Sequence, residues 1–339
     1  MNLPTLLALT YFLVGLAMLI KGADILINQA MKIATRLKIS PLIVGIVLVS
    51  FGTSLPELAV SIAISIEQGP SDIIVGNVLG SNIANGLLVL GTAAALGDIV
   101  VSKEVLKTHL SMGAIALLLF VLFYFYVTPY TIDSVEGLGV LLAMGIYLCL
   151  LYYFSLKKKA PQSTSSANLE HTAVPKQELE VEQSFSWGKV GSLLVISIVL
   201  IGGGSEWVSH NVLVIATTVF NSNEAFAGVI LLALGTSLPE LVTSIVAFRK
   251  GENDLLLGNV LGSNIFNLLA IIGVSAVVAP LTAISDYTRE LWVNGVIIMI
   301  IVLFSFTGKA YTLSRRNGII FLMLYLVYLQ AFLNENIGG

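Results

Sequence analysis

Two stretches set a carboxylate, a proline and adjacent hydroxyls inside otherwise apolar runs: residues 50–57, SFGTSLPE, and residues 233–240, ALGTSLPE. At the centre of a membrane helix, Glu57 and Glu240 would each cost about 2.5–3.5 kcal/mol even on a lenient insertion scale, so a passive role leaves the duplicated pair unexplained. Pro56 and Pro239 lack a backbone donor and crowd the preceding turn, while Gly52 and Gly235 loosen it. A helix broken there is expected to free carbonyl oxygens at Ser50 and Ala233, and irregular backbone at membrane depth survives only where it is buried or lines a wet cavity. Thr53 and Glu57 stand four apart, on one helical face if the turn stays helical. A second matched pair follows: residues 76–85, GNVLGSNIAN, and residues 258–267, GNVLGSNIFN. Asn77, Ser81 and Asn85, like Asn259, Ser263 and Asn267, run at i, i+4, i+8 and make a polar stripe on an apolar helix. Asn82 and Asn264 turn away from the middle of that stripe and rank lower as ligands. The pairs Gly76/Gly80 and Gly258/Gly262 are GxxxG motifs that allow close helix approach.

Brought together, the two copies supply two carboxylates, four stripe asparagines and the hydroxyls of Thr53, Ser54, Ser81, Thr236, Ser237 and Ser263, with the carbonyls of Ser50 and Ala233 beside them. Every donor is oxygen and two are anionic. Ca²⁺ takes six to eight oxygens at roughly 2.3–2.6 Å in flexible geometry and matches this inventory. Softer metals do not, since no thiolate or imidazole is present. Hydroxyls and carbonyls also suit Na⁺. Two glutamates meeting in a low dielectric repel, so they need a cation or a proton at all times, and that is a physical basis for obligatory exchange. The blander reading makes Glu57 and Glu240 neutral hydrogen-bonded acids and gives Ser81, Asn85, Ser263 and Asn267 to interhelical bonding. Recurrence of the whole context at matched positions favours the ion site. Asp24 and Glu206 also match across the copies, with Lys21 three residues before Asp24; a structural or gating role fits them better than ion binding. His210 and Trp207 suit a membrane interface.

The elements that must position these groups follow from composition. The 339 residues are 56% hydrophobic and 11% charged, with a mean hydropathy of +0.94, a balance that belongs to a polytopic membrane protein. Ten spans are expected at about 4–28, 41–66, 73–97, 108–128, 134–155, 188–213, 225–248, 255–279, 290–307 and 317–334. The first reads as a span rather than a removable signal. A polar stretch, 157–186, divides a first unit, 1–156, from a second, 187–339, and reads as a cytoplasmic linker. Fifteen of the 17 Lys and Arg residues fall on connections of one side if the N-terminus is outside, and only Arg289 on the other, so both termini are expected outside. The motif matches share an offset of 182 or 183 residues, one duplicated unit. An odd number of spans per unit inverts the second copy and puts a site at the midplane between halves. The fold class expected is therefore an all-α membrane protein of ten transmembrane helices in two inverted five-helix repeats. Cys149 is the only cysteine, His109, His171 and His210 are scattered near span ends or in the linker, and no basic stripe suits nucleic acid. An intramembrane serine, zinc or aspartyl protease lacks its constellation, and a pure scaffold does not account for duplicated charges at the costliest depth.

GTSLPE followed by GNxxGSNxxN, present twice and spanning everything but the linker, resembles the alpha repeats of the sodium/calcium exchanger family within the wider cation/calcium antiporters. The resemblance implies ten helices, with the second, third, seventh and eighth forming a central ion site and the first and sixth sliding across it. It implies Glu57 and Glu240 as main Ca²⁺ ligands shared with Na⁺, completed by Thr53, Ser54, Ser81, Asn85, Thr236, Ser237, Ser263 and Asn267. Many relatives carry Asp at one stripe-ending position, where this chain has amides at both Asn85 and Asn267. Animal relatives carry a large regulatory domain in the central loop, which about thirty polar residues cannot form. The expectation is a calcium/sodium antiporter, not an enzyme, without cofactor, monomeric, in lipid of a prokaryotic plasma membrane. The alternative is a proton/calcium exchanger using the same glutamates; hydroxyl-rich GTSLPE favours sodium.

Overall fold

The computed structural model describes residues 3–102, 105–158, 185–219, 237–282, 285–306 and 311–337. Its helices are α1 (Leu3–Leu37), α2 (Pro41–Thr53), α3 (Leu55–Ile66), α4 (Ser71–Leu96), α5 (Leu110–Val127), α6 (Ser134–Lys158), α7 (Trp187–Val219), α8 (Leu238–Arg249), α9 (Asn253–Val278), α10 (Thr288–Ser305) and α11 (Arg315–Ile337). Among the described residues eight helices are long and apolar enough to cross a membrane, and α2 with α3, bent by 49°, makes a ninth candidate. Of the span expected at 225–248, the part before residue 237 lies outside the described residues, as does most of the 157–186 stretch. The first helix runs to Leu37, well past the expected residue 28, because nothing interrupts it before Lys38, which ends it at φ 54°, and Pro41 starts the next. Lys32 and Arg36 therefore sit on its last turns rather than on a connection.

Burial sorts the helices into a centre and a ring. In the membrane windows of α4 and α9, 72% and 83% of residues are buried, against 22–33% in the other long helices. These two carry the GNVLGSN motifs, and most of their apolar residues face protein. The ring helices instead show large apolar side chains outward, such as Leu118, Val135, Leu142 and Val199, as a lipid-facing surface requires. Close approach at the centre depends on missing side chains. A Cβ on Gly258 would meet the Leu42 carbonyl and lie 2.9 Å from Gly45 Cα, and one on Gly262 would lie 2.7 Å from Ile46 Cα, so α9 rests directly on the backbone of α2. The two outer helices α1 and α7 lie along one another as a pair.

Among the described residues four of the long segments contain a wide π turn: Gly45–Val49 in α2, Phe123–Val127 in α5, Asn85–Val89 in α4 and Asn267–Ile271 in α9. The last two begin at matched asparagines, and such turns re-aim side chains within an otherwise regular helix. Two short antiparallel ribbons also appear. β1 (Ile99–Val100) pairs with β4 (Thr312–Leu313), and β2 (Thr131–Ile132) pairs with β3 (Leu281–Thr282). Each ribbon joins one motif-bearing unit to the other. With a membrane-length helix between β1 and β2, and another between β3 and β4, the ribbons tie the units at opposite ends.

Candidate cation site

The GTSLPE segment is where a helix ends and a new one begins. Ser54 leaves helical geometry at φ −90°, ψ 6°, and Ser237 does the same at φ −92°, ψ 6°. Leu55, Pro56 and Glu57 are then the first three residues of α3, as Leu238, Pro239 and Glu240 are of α8. Proline is tolerated there because the first N–H groups of a helix have no internal acceptor, so the break is a clean restart rather than a clash inside a continuous helix. Each glutamate sits in a first turn, where the positive end of the helix dipole favours an anion. The restart also changes which groups meet. Thr53 and Glu57 do not share a continuous helical face, because the bend at Ser54 lies between them.

Both carboxylates are buried in the protein. The hydroxyls of the first copy turn to the carboxylate of the second: Ser54 Oγ donates to Glu240 Oε1 at 3.0 Å. Thr53, also buried, lies beside Glu240, and its Oγ1 stands 3.1 Å from Asn259 Oδ1. Asn259 Nδ2 in turn reaches Ser244 Oγ at 3.1 Å and the Glu240 carbonyl at 3.4 Å. Ser263 lies beside Glu240 as well, and Ser237 is buried close by in sequence, one residue before α8. Ser81 is buried on α4. The Ser50 carbonyl is not loose: it accepts the Ser54 N–H at 3.0 Å and lies 3.2 Å from Thr53 Oγ1. Pro56 has no N–H to give, so the carbonyl four residues earlier, Gly52, is the one deprived of its helical donor. Ala233 and Thr236 lie outside the described residues.

Asn82 and Asn264, ranked low from the stripe, stand at the junction of the two central helices. Asn82 Nδ2 donates to the Asn264 carbonyl at 3.1 Å, and Asn264 Nδ2 approaches the Asn82 carbonyl at 3.4 Å. Their side-chain oxygens then accept from the stripe ends: Asn85 Nδ2 bonds Asn264 Oδ1 at 3.0 Å, and Asn267 Nδ2 bonds Asn82 Oδ1 at 3.0 Å. Using up the NH₂ of Asn85 and Asn267 leaves the oxygen of each amide aimed elsewhere. The clue in the sequence was the doubled asparagine pattern, N-x-x-N, in both copies. Behind this cross a cavity of about 30 Å³, lined by Asn82, Asn264, Asn294 and His109, has room for a water molecule. His109, at the end of α5 as expected, is buried against protein, 3.5 Å from Tyr147 Oη.

What remains is a group of buried oxygens with no hydrogen-bond partner among the described residues: Glu57 Oε2, Glu240 Oε2, Asn85 Oδ1, Asn267 Oδ1, Ser237 Oγ and Ser263 Oγ. Buried polar atoms are nearly always paired, so these six oxygens from matched motifs are open to a cation, a proton or water. No cluster of three or more His, Cys, Asp or Glu occurs among the described residues. Two carboxylates among neutral oxygens are a donor set that could hold a hard cation.

Access to this group is one-sided. A cavity of about 660 Å³ between α3, α4 and α7 reaches Glu57 and is lined also by Asn77, Ser61, Ser205 and Glu206. Among the described residues, the counterparts beside Glu240 are buried. Val60 on the cavity wall is 55% exposed while its counterpart Thr243 is 0%, and Ile73 is 47% exposed while Leu255 is 0%. Here α1 packs along α8, whereas α7 stands away from α3.

Comparison with known proteins shows the family. The family described as sodium/calcium exchanger protein matches residues 7–153 and 190–334. The inner membrane protein YrbG of Escherichia coli is 36% identical over 81% of this chain and 81% of its own length. The sodium/calcium exchanger MaX1 of Methanosarcina acetivorans is 32% identical over 94% of this chain and 96% of its own. Among solved structures, the sodium-calcium exchanger NCX_Mj soaked with Na⁺ and Sr²⁺ superposes with a TM-score of 0.76 at 28% identity, covering 96% of this chain and 99% of that one. With two copies of one motif in contact through buried polar side chains, and a family match over both, this chain belongs to the sodium/calcium exchanger protein family.

Proposed function

We propose that the protein is a secondary antiporter that exchanges Ca²⁺ for Na⁺ across a prokaryotic cell membrane by alternating access to one central site. Glu57 and Glu240 carry the charge. Asn85 and Asn267 present amide oxygens, and Thr53, Ser54, Ser81, Thr236, Ser237 and Ser263, with carbonyls of the broken segments near Ser50 and Ala233, complete the shells. The single observation that supports this most is the set of buried oxygens without partners, two of them carboxylate, donated by matched motifs. Glu57 and Glu240 cannot both be bare in a buried site. Release of one Ca²⁺ must therefore be coupled to arrival of other positive charge, which is exchange rather than leak. Sodium is the counter-ion that uses the surplus hydroxyls, which a proton would not need.

In this reading the chain forms two inverted five-helix units around α4 and α9, with the 157–186 linker in the cytoplasm and no resident cofactor. The positive-inside bias puts the Lys250 end of α8 in the cytoplasm, so the cavity at Glu57 opens outward. Sliding of the α1/α7 pair from α8 toward α3 would close that cavity and open its counterpart at Glu240. The test is ⁴⁵Ca²⁺ uptake into proteoliposomes loaded with Na⁺, with pH clamped equal on both sides. Uptake that follows the Na⁺ gradient is expected. Uptake driven only by a pH difference would transfer the assignment to proton/calcium exchange, and Ca²⁺ flux needing no counter-ion would make the protein a channel.

A further inference from the structure

On the Glu240 side an ion pair joins the end of α8 to α1, and the aligned residues on the Glu57 side differ in charge. Lys250, one residue past the end of α8, places Nζ 2.7 Å from Asp24 Oδ1 and 2.8 Å from Asn28 Oδ1, both on α1. Asn28 Nδ2 lies 3.4 Å from Asp24 Oδ2, and Lys21, on the same helix as Asp24, is 3.8 Å from that carboxylate. Lys21 moves with α1 and so cannot hold it to anything else. Lys250 is the bridge, since it belongs to the helix that carries Glu240.

The matched residues on the other side are fixed by helix ends. Gly251 and Gln68 both take the left-handed conformation, at φ 78° and 53°, which aligns Lys250 with Glu67. Asp24 and Asn28 align with Glu206 and His210 on α7. A carboxylate, Glu67, therefore stands where the ammonium of Lys250 would have to be, opposite the carboxylate of Glu206. The alignment brings Glu67 toward Glu206 and His210, two carboxylates and an imidazole, and no ammonium stands where Lys250 does. Glu206 now lines the open cavity.

We propose that Lys250, acting through Asp24 and Asn28, is a positioning residue that holds the α1/α7 pair against α8 and so biases the protein toward the state in which Glu57 is accessible and Glu240 is sealed. This rests on the alternating-access reading for its role in transport, though not for its geometry. The pair is about one-third exposed on each side chain. It is therefore a bias that ion binding can overcome rather than a lock.

The experiment uses the full chain in detergent with Cys149→Ser, carrying one reporter thiol: Val60→Cys on the open wall or Thr243→Cys at its sealed counterpart. Alkylation rates are measured with and without Lys250→Met. The expected result is reciprocal: labelling at position 243 speeds up about threefold or more, and labelling at position 60 slows. Asp24→Asn should act the same way and serves if Lys250→Met does not fold. Lys250→Arg, or the exchanged pair Asp24→Lys with Lys250→Asp, should return both rates toward those of the parent. Unchanged rates at both reporters, or faster labelling at both, would overturn the proposal. The transport reading fails separately: if reciprocal labelling is seen but Na⁺-driven Ca²⁺ uptake is not, the latch stands and the counter-ion assignment falls.

Discussion

Replacing Asn82 with alanine removes the oxygen that accepts the Asn267 amide at 3.0 Å and the donor that reaches the Asn264 carbonyl at 3.1 Å. Asn82 is given no contact with an ion in the proposed site, so any effect on ion binding must pass through Asn267. That amide then has two choices. Its NH₂ stays buried without an acceptor, at a cost of about 1–3 kcal/mol, or it turns over and presents NH₂ to the cation. In either case the oxygen of Asn267 is no longer held toward the site. At 1.4 kcal/mol for each tenfold, the same range corresponds to Ca²⁺ binding weakened roughly five- to 150-fold. Isothermal titration of Ca²⁺ in Na⁺-free buffer measures it, and a melting curve without Ca²⁺ separates binding from loss of fold. The double variant Asn82→Ala/Asn267→Ala is the critical control. If Asn82 works by aiming Asn267, the double should bind about as weakly as Asn267→Ala alone. An affinity for Asn82→Ala within about twofold of the parent, or full additivity in the double, would refute the reasoning.

Glu57→Gln and Glu240→Gln each remove one charge from the buried pair at nearly constant shape, and each should lower Na⁺-driven Ca²⁺ uptake at least about a hundredfold while the protein stays monodisperse; near-parental uptake by either excludes that residue as a ligand. Asn267→Asp sets a carboxylate 3.0 Å from Asn82 Oδ1 in place of the NH₂ donor. A unit charge beside a cation is worth a few kcal/mol at an effective dielectric near 20, more than the hydrogen bond lost, so Ca²⁺ should bind tighter, and increasingly so as pH rises. Equal affinity for both proteins across pH would remove Asn267 from the ligand shell. Gly258→Ala pushes a methyl group into the Leu42 carbonyl and Gly45 Cα on α2, where no flexible side chain can yield. The expected destabilisation is about 1–3 kcal/mol, read as a lower melting temperature in detergent, and an unchanged melting temperature would show that α2 and α9 can part at no cost.

Much of the fold was legible from residue patterns, for reasons that are local. A bilayer demands long apolar runs, so helices such as α4, α9 and α11 announce themselves by hydropathy whatever their neighbours. Acidic residues in such runs are costly enough that Glu57 and Glu240 stood out, and the repeated words around them tied the two together. Less legible was where helices end. The length of α1 depended on a left-handed Lys38 and on Pro41, which hydropathy does not weigh. The restart at Ser54 was visible as a disturbance around Pro56, but its form decided that Glu57 opens a helix rather than interrupting one.

Spacing along one helix says which side chains share a face, and it identified the stripe of Ser81, Asn85, Ser263 and Asn267. It says nothing about what the face meets. That Ser54 of the first copy serves Glu240 of the second, and that Asn82 and Asn264 hold the amides of Asn267 and Asn85, are contacts between residues nearly two hundred positions apart. They arise only when two matched units dock. The two motifs are alike in sequence yet unlike in surroundings, since Val60 faces a cavity and Thr243 faces protein. Residue types and their repetition determined what the centre is made of: hard oxygen donors with two charges, embedded in apolar helices. Tertiary packing alone decided which oxygens are left without partners, because that depends on how the two matched units dock, and which counterpart residues face a cavity, because that depends on where α1 and α7 lie.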